Sequence, residues 1–200
     1  MYNELRKIFK ENPDVSCKKG VLHVGAHKCE EAAEYAAYPK VMWIDGNDEL
    51  CAGNPNIVNA LISDKDDEEV EFIVTNNYQS SSILELKEHL EEYPNILETK
   101  RVKKKTVTLD TLFDRLQCPH DSFDLLVIDI QGAELLALKG AKKILPNINA
   151  ILTEVNVREL YEGCVLLPDL DAFLKENGFE RVYLIMRSRG WGDAIYVRRN

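Results

Sequence analysis

Two stretches of the chain, FDLLVID (123–129) and NAILTEV (149–155), are nearly unbroken apolar runs of strand length. A strand with one wet face alternates polar and apolar residues, so these runs predict strands buried on both faces. Between them lies GAELLALKGAKKIL (132–145), whose leucines recur at helical spacing and which Pro146 is expected to end. Strands buried on both faces and separated by helices imply a parallel sheet covered on each side.

The same alternation runs along the whole chain. An amphipathic helix is expected over 3–11. Strands follow at GVLHVG (20–25), KVMWID (40–45), NIVNALIS (56–63), VEFIVTN (70–76) and VKKKTVTL (102–109), with VEFIVTN alternating as an edge strand does. Helices are expected at CEEAAEYAAY (29–38), 48–52, 83–92, 110–117 and LPDLDAFLKENG (167–178). DKDDEE (64–69) is a turn, and NNYQSSS (76–82) a polar loop. FERVYLIM (179–186) and GDAIYVRR (192–199), joined by RSRGWG, predict a closing antiparallel hairpin. The expected fold class is therefore α/β and Rossmann-like, of the class I methyltransferase type: a mostly parallel central sheet, helices on both faces, and one antiparallel strand from the C-terminal hairpin.

With 200 residues, the chain suits one domain over 1–200, residues 1–19 forming a helical extension at its start. No apolar run reaches the ~18 residues of a membrane span. The opening MYNELRKIFKENPD is charged, so no leader peptide is expected. Five scattered cysteines with no CxxC pair argue against a disulfide framework or a zinc site, and for a reducing, cytoplasmic location. A net charge of −9 argues against nucleic acid as a partner. The basic run KRVKKK (100–105) is expected to be a solvated strand face.

In a sheet of this kind ligands sit beyond the carboxyl ends of the strands. The first such end is Val24-Gly25-Ala26-His27, where Gly25 is expected to let backbone approach a ligand. A pyrophosphate wants a glycine-rich nest, so a single glycine argues against NAD and leaves S-adenosylmethionine open. Asp45 closes the second strand, twenty residues after Gly25, where a carboxylate can accept from both ribose hydroxyls. Ser63 and Asp64, ending the third strand, are candidates for the adenine edge. Asp129 ends a buried strand, where an unpaired carboxylate is costly, and is a candidate for the methionine ammonium group or the substrate. Asp129, Glu154 and Asn156 form an oxygen-rich set that suits a divalent metal, though polar residues bonded to one another without metal are the better expectation. His27, Asp129 and Glu154 are the candidate general bases, His27 first because histidine titrates near neutral pH. Tyr161 and Trp191 are candidates for an acceptor pocket, and WGD (191–193) is expected in the hairpin turn.

Together these stretches are similar to the FkbM family of S-adenosylmethionine-dependent methyltransferases. DLLVIDIQGAELLALKGAKKIL resembles the family's most distinctive block, with Asp129, Gly132, Glu134, Lys139, Gly140 and Ala141 in its places. VLHVGAHKCEE resembles the first motif, NALISDKDDEEVEF the third-strand block, SSS (80–82) the serine loop and VTLDTL (107–112) the strand-to-helix junction. The chain departs from the pattern at His23, Cys29 and Gln131, the last standing where the family commonly has Glu. The resemblance implies S-adenosylmethionine as cofactor and methyl transfer to a hydroxyl of a sugar or other small molecule. A nucleic-acid ribose methyltransferase and a non-catalytic binding domain are the alternatives.

Overall fold

A computed structural model describes residues 2–11, 16–187 and 189–199. The chain opens with helix α1 (Tyr2–Glu11), then strands β1 (Val21–Val24) and β2 (Val41–Asp45), helix α2 (Asp48–Gly53), and strands β3 (Ile57–Asn59), β4 (Leu61–Ile62) and β5 (Glu69–Thr75). It continues through helix α3 (His89–Glu92), strand β6 (Glu98–Val107), helix α4 (Leu109–Arg115), strand β7 (Leu125–Ile128) and helix α5 (Glu134–Lys139). Strand β8 (Ala150–Asn156), helix α6 (Leu167–Glu176) and strands β9 (Phe179–Met186) and β10 (Trp191–Arg198) complete it. Ser188, within the expected hairpin turn, lies outside the described residues.

Among the described residues, seven strands form one sheet in the order β3-β2-β1-β7-β8-β10-β9. Pairing is parallel from β3 to β8, and β10 runs antiparallel to both β8 and β9, as the sequence predicts. Strand order reverses between β1 and β7, which opens a crevice at their carboxyl ends. All of β1, β7 and β8 are buried, and their side chains alternate between two cores. Leu22, Leu126 and Ile128 pack with Phe113, Leu138 and Leu170 from α4, α5 and α6. Val21, Leu125 and Val127 pack on the other face with Leu5 and Ile8 of α1, Tyr35 and Trp43.

Four expected elements change. NIVNALIS breaks at Ala60: its N–H still donates to the Asp45 carbonyl (3.0 Å), but Leu61 and Ile62 turn to pair with β6 in a separate β4-β6-β5 sheet. The helix over 29–38 shrinks to a 3₁₀ turn at Glu30–Ala33. Cys29 sits before it in the left-handed region (φ 58°) with no capping bond, so nothing offsets the cost of nucleating an α-helix. The helix over 83–92 shortens to α3 because tertiary pairing claims its first half. Leu86 bridges to Tyr161, and the N–H groups of Lys87 and His89 donate to the Leu160 carbonyl. The helix over 132–145 stops after Lys139, not at Pro146. A Cβ at Gly140 would lie 2.3 Å from the Ser63 carbonyl oxygen, so the chain passes backbone against backbone there. Lys143 and Ile144 then donate to the Asp110 carboxylate rather than along a helix (2.9 to 3.3 Å).

Candidate active site

A cavity of about 420 Å³ lies over the carboxyl ends of β1, β2, β7 and β8, a volume suited to a small-molecule ligand. It has two chemically distinct ends.

At one end the β1 turn meets the tip of β2. Gly25, Ala26, His27 and Asp45 all line the cavity. Asp45 ties the two strand ends together, its Oδ2 accepting the His27 N–H (2.8 Å) and its Oδ1 the Asn47 N–H (2.7 Å). Burial pushes its carboxyl up and these N–H donors pull it back. Each oxygen keeps a lone pair for a further donor, which fits a ribose diol. Gly25 adopts φ 91°, and a Cβ there would lie 1.8 Å from the Asp129 carbonyl oxygen. The neighbouring strand end by itself therefore requires glycine at this position.

His27 (φ 44°) sets its Nδ1 2.6 Å from Glu30 Oε1, and its Nε2 is buried without a partner among the described residues. Beneath this end His23 is buried in β1, its Nδ1 3.0 Å from the Tyr35 hydroxyl and its ring 5.0 Å from Trp43. Burial lowers its pKa to about 4, so the ring is neutral. Cys29 accepts from Asn54 Nδ2 at 3.6 Å.

The adenine-edge expectation changes. Ser63 and Asp64 do not line the cavity; the chain has already turned toward β6, and Ala60, Leu61 and Ile62 form the wall instead. Ser63 Oγ donates to Asp64 at 3.3 Å, away from this wall.

The other end is carboxylate and aromatic. Asp129, at the tip of β7, is exposed and opens onto the cavity. Glu154, in β8, is buried beside it. The Gln131 amide nitrogen donates to both, to Asp129 Oδ1 at 2.7 Å and to Glu154 Oε2 at 2.9 Å. Desolvation raises both carboxyls and Asp193 adds to it, Asp129 raises Glu154 further, and the Gln131 amide pulls each back. The Tyr161 hydroxyl donates to Gln131 Oε1 (2.6 Å), and the Ser82 hydroxyl to the Gln131 carbonyl (2.8 Å). Behind them buried Glu134 accepts the N–H groups of Ile130 and Gly132 (3.1 Å each), and burial lifts its pKa to about 7.

The expected oxygen-rich triad is only partly assembled. Asp129 and Glu154 meet through the Gln131 amide, while Asn156 is buried outside the cavity lining, its side-chain amide unpartnered. Among the described residues no group of three or more His, Cys, Asp or Glu is placed to hold a metal ion. WGD belongs to strand β10 rather than the hairpin turn. Trp191 lines the cavity and its Nε1 donates to the Tyr93 hydroxyl (2.6 Å), while Asp193 stands opposite Glu154 and accepts from Arg187 (3.0 Å). Tyr161 also lines the cavity.

Glu30, His89 and Tyr93 line the cavity as well and were not among the residues the sequence singled out. Glu30 is three places from His27, a spacing that could have marked it. His89 and Tyr93 stand in a stretch whose pattern favours a helix, which hid them. The KRVKKK run lies along β6, and four of its five charges are met by carboxylates. Arg101 pairs with Glu71 and Glu98 (3.2 and 2.9 Å), Lys103 with Glu69 (3.1 Å), Lys104 with Asp48 (2.5 Å) and Lys100 with Glu49.

Residues 23–181 match the family described as "Methyltransferase FkbM domain". The chain belongs to the FkbM methyltransferase family. Members of this family draw their methyl group from S-adenosylmethionine. A similar curated protein is the 2-O-methyltransferase NoeI of Sinorhizobium fredii (strain NBRC 101917 / NGR234), 36% identical over 84 residues. That match takes in 42% of this chain and 34% of the relative, so the FkbM chain spans about a third of the relative's length. Among solved structures, magnesium protoporphyrin IX methyltransferase (ChlM) from Synechocystis PCC 6803 with bound SAM aligns at a TM-score of 0.48 and 9% identity, over 99% of this chain and 78% of that one.

Proposed function

We propose that this chain is one methyltransferase domain that moves a methyl group from S-adenosylmethionine to a hydroxyl oxygen of a sugar or other small molecule. The observation that carries this reading is a single cavity with a diol-accepting carboxylate, Asp45, at one end and a carboxylate pair among aromatic rings at the other. When bound, S-adenosylmethionine supplies a methyl group already activated on a sulfonium sulfur.

In this reading the chain's residues divide the remaining work. Asp45 accepts from the ribose hydroxyls, and the Gly25-Ala26-His27 turn forms the adjoining wall. Asp129 faces the methionine ammonium and the reacting centre. Its Oδ1 is held by Gln131, and among the described residues no donor is bonded to its Oδ2. That leaves one oxygen to receive the proton of an incoming hydroxyl, a contribution of about 10²- to 10⁴-fold for a well-placed base. Glu154 and His27 are the further candidate bases lining the cavity. Aromatic walls from Tyr161, Trp191 and Tyr93 beside carboxylates suit a ring that carries hydroxyls. The name of the relative NoeI supports oxygen as the atom methylated. The paired charges of β6 weigh against a nucleic-acid acceptor. Among the described residues no helix is long and apolar enough to cross a membrane, and all five cysteines are free, which suits a cytoplasmic place.

The test is methyl transfer from isotope-labelled S-adenosylmethionine to parallel panels of oligosaccharides, small phenols and alcohols, and RNA. Label in a sugar or small-molecule hydroxyl is expected. Label in RNA alone would overturn the assignment.

A further inference from the structure

The Gln131 side chain joins three polar side chains at the acceptor end. Its amide N–H groups reach Asp129 (2.7 Å) and Glu154 (2.9 Å), and its amide oxygen takes the Tyr161 hydroxyl (2.6 Å). Its backbone is pinned as well: φ is 56°, a conformation rare for a side-chain-bearing residue, and its carbonyl accepts from Ser82 (2.8 Å). None of these contacts belongs to the apolar core. They serve to hold two carboxylates side by side across the tips of β7 and β8.

Two such carboxylates repel, and among the described residues no Lys or Arg side chain is bonded to either. Gln131 supplies two donors without adding a charge, which favours the ionised form of each carboxylate. A third carboxylate at this place would offer no donor and would force one of the three to keep a proton.

We propose that Gln131 is a positioning residue: it keeps Asp129 and Glu154 together as acceptors facing the cavity, and so sets the pH range over which the site takes a positively charged ligand. The proposal rests on the assignment of S-adenosylmethionine to this cavity. The groups that face the pair are Asp193 of β10, itself bonded to Arg187, together with His27, Glu31, Asp45, Glu134 and Tyr161. Gln131 is the neutral amide among them.

The test is the affinity of the full chain for S-adenosylmethionine, measured by calorimetry from pH 5 to pH 9, with S-adenosylhomocysteine, which lacks the sulfonium charge, in parallel. Gln131→Met keeps the volume and removes the donors. It should move the pH midpoint of S-adenosylmethionine binding upward by about one unit, a tenfold loss at a fixed pH below it, while S-adenosylhomocysteine moves less. Gln131→Glu should move it further the same way. Tyr161→Phe removes only the hydroxyl that fixes the amide and should give a smaller shift of the same sign. It keeps the question answerable if the Met variant does not fold. Folded variants whose affinities for both ligands fall equally at every pH, or do not change, would overturn the proposal. Wild-type chain that binds neither ligand at any pH would instead overturn the cofactor assignment on which it rests.

Discussion

The two ends of the cavity are built by different means. The Gly25–Asp45 end is backbone architecture. Two adjacent parallel strands stop together, one carboxylate accepts N–H groups from both tips, and a glycine packs against the next strand's carbonyl. The Asp129–Glu154 end is a side-chain construction, an amide strung between two carboxylates and a hydroxyl, walled by rings from distant parts of the chain. The first end follows almost automatically from making the sheet. The second must be specified residue by residue, and in the proposed reading it is the end that meets the methyl acceptor.

The contrast can be broken first at Gly25. Gly25→Ala sets a Cβ 1.8 Å from the Asp129 carbonyl oxygen at a φ of 91°. It should cost about 4 kcal/mol or more of fold stability by urea denaturation. An alanine variant of wild-type stability would show that the first end is not fixed by backbone contact.

The second effect is in pH dependence, where the two ends act with opposite sign. His23, under the first end, stays neutral in the fold to about pH 4. The unfolded chain therefore gains a proton first, and this residue makes stability rise with pH from about 4 to about 6.5. Glu134, behind the second end, holds its proton in the fold to about pH 7. The fold then binds more protons than the unfolded chain, and this residue makes stability fall from about pH 4.5 to about 7. Each slope amounts to roughly 3 kcal/mol. Denaturant midpoints across this range should tilt upward with pH in Glu134→Gln and downward in His23→Gln, relative to wild type. Parallel curves for all three would contradict the burial account of both residues.

The smallest effect is on the surface. Lys103→Ala breaks an exposed pair with Glu69 and should leave the denaturation midpoint within error. It should also leave ligand affinity unchanged, because β6 serves neither end. A steep salt dependence of RNA binding lost in this variant would reverse that view.

The same division explains what was legible in the sequence. Strands β7 and β8 are plain because a strand buried on both faces is nearly all apolar, and the Gly25–Asp45 end comes with the neighbouring strands β1 and β2. The helices at 29–38, 83–92 and 132–145 were overestimated because local pattern is silent about what competes for the backbone: Leu160 for Lys87 and His89, Asp110 for Lys143 and Ile144, and the close pass at Gly140. Ser63 and Asp64 were misplaced because nothing in NIVNALIS marks the break at Ala60. At the second end Asp129 and Glu154 stood out as carboxylates closing apolar strands. The role of Gln131 did not, since a bridge between two strand tips exists only once the tips are side by side.

The central claim is that the cavity holds S-adenosylmethionine with its ribose on Asp45. Calorimetric titration of S-adenosylmethionine into the wild-type chain and into Asp45→Ala tests it directly, with NAD as the control. Binding in the micromolar range is expected for wild type. It should weaken about a hundredfold in Asp45→Ala, the loss of two charge-assisted hydrogen bonds, with no binding of NAD. Equal affinity in a folded Asp45→Ala variant, or no binding by wild type, would contradict the account.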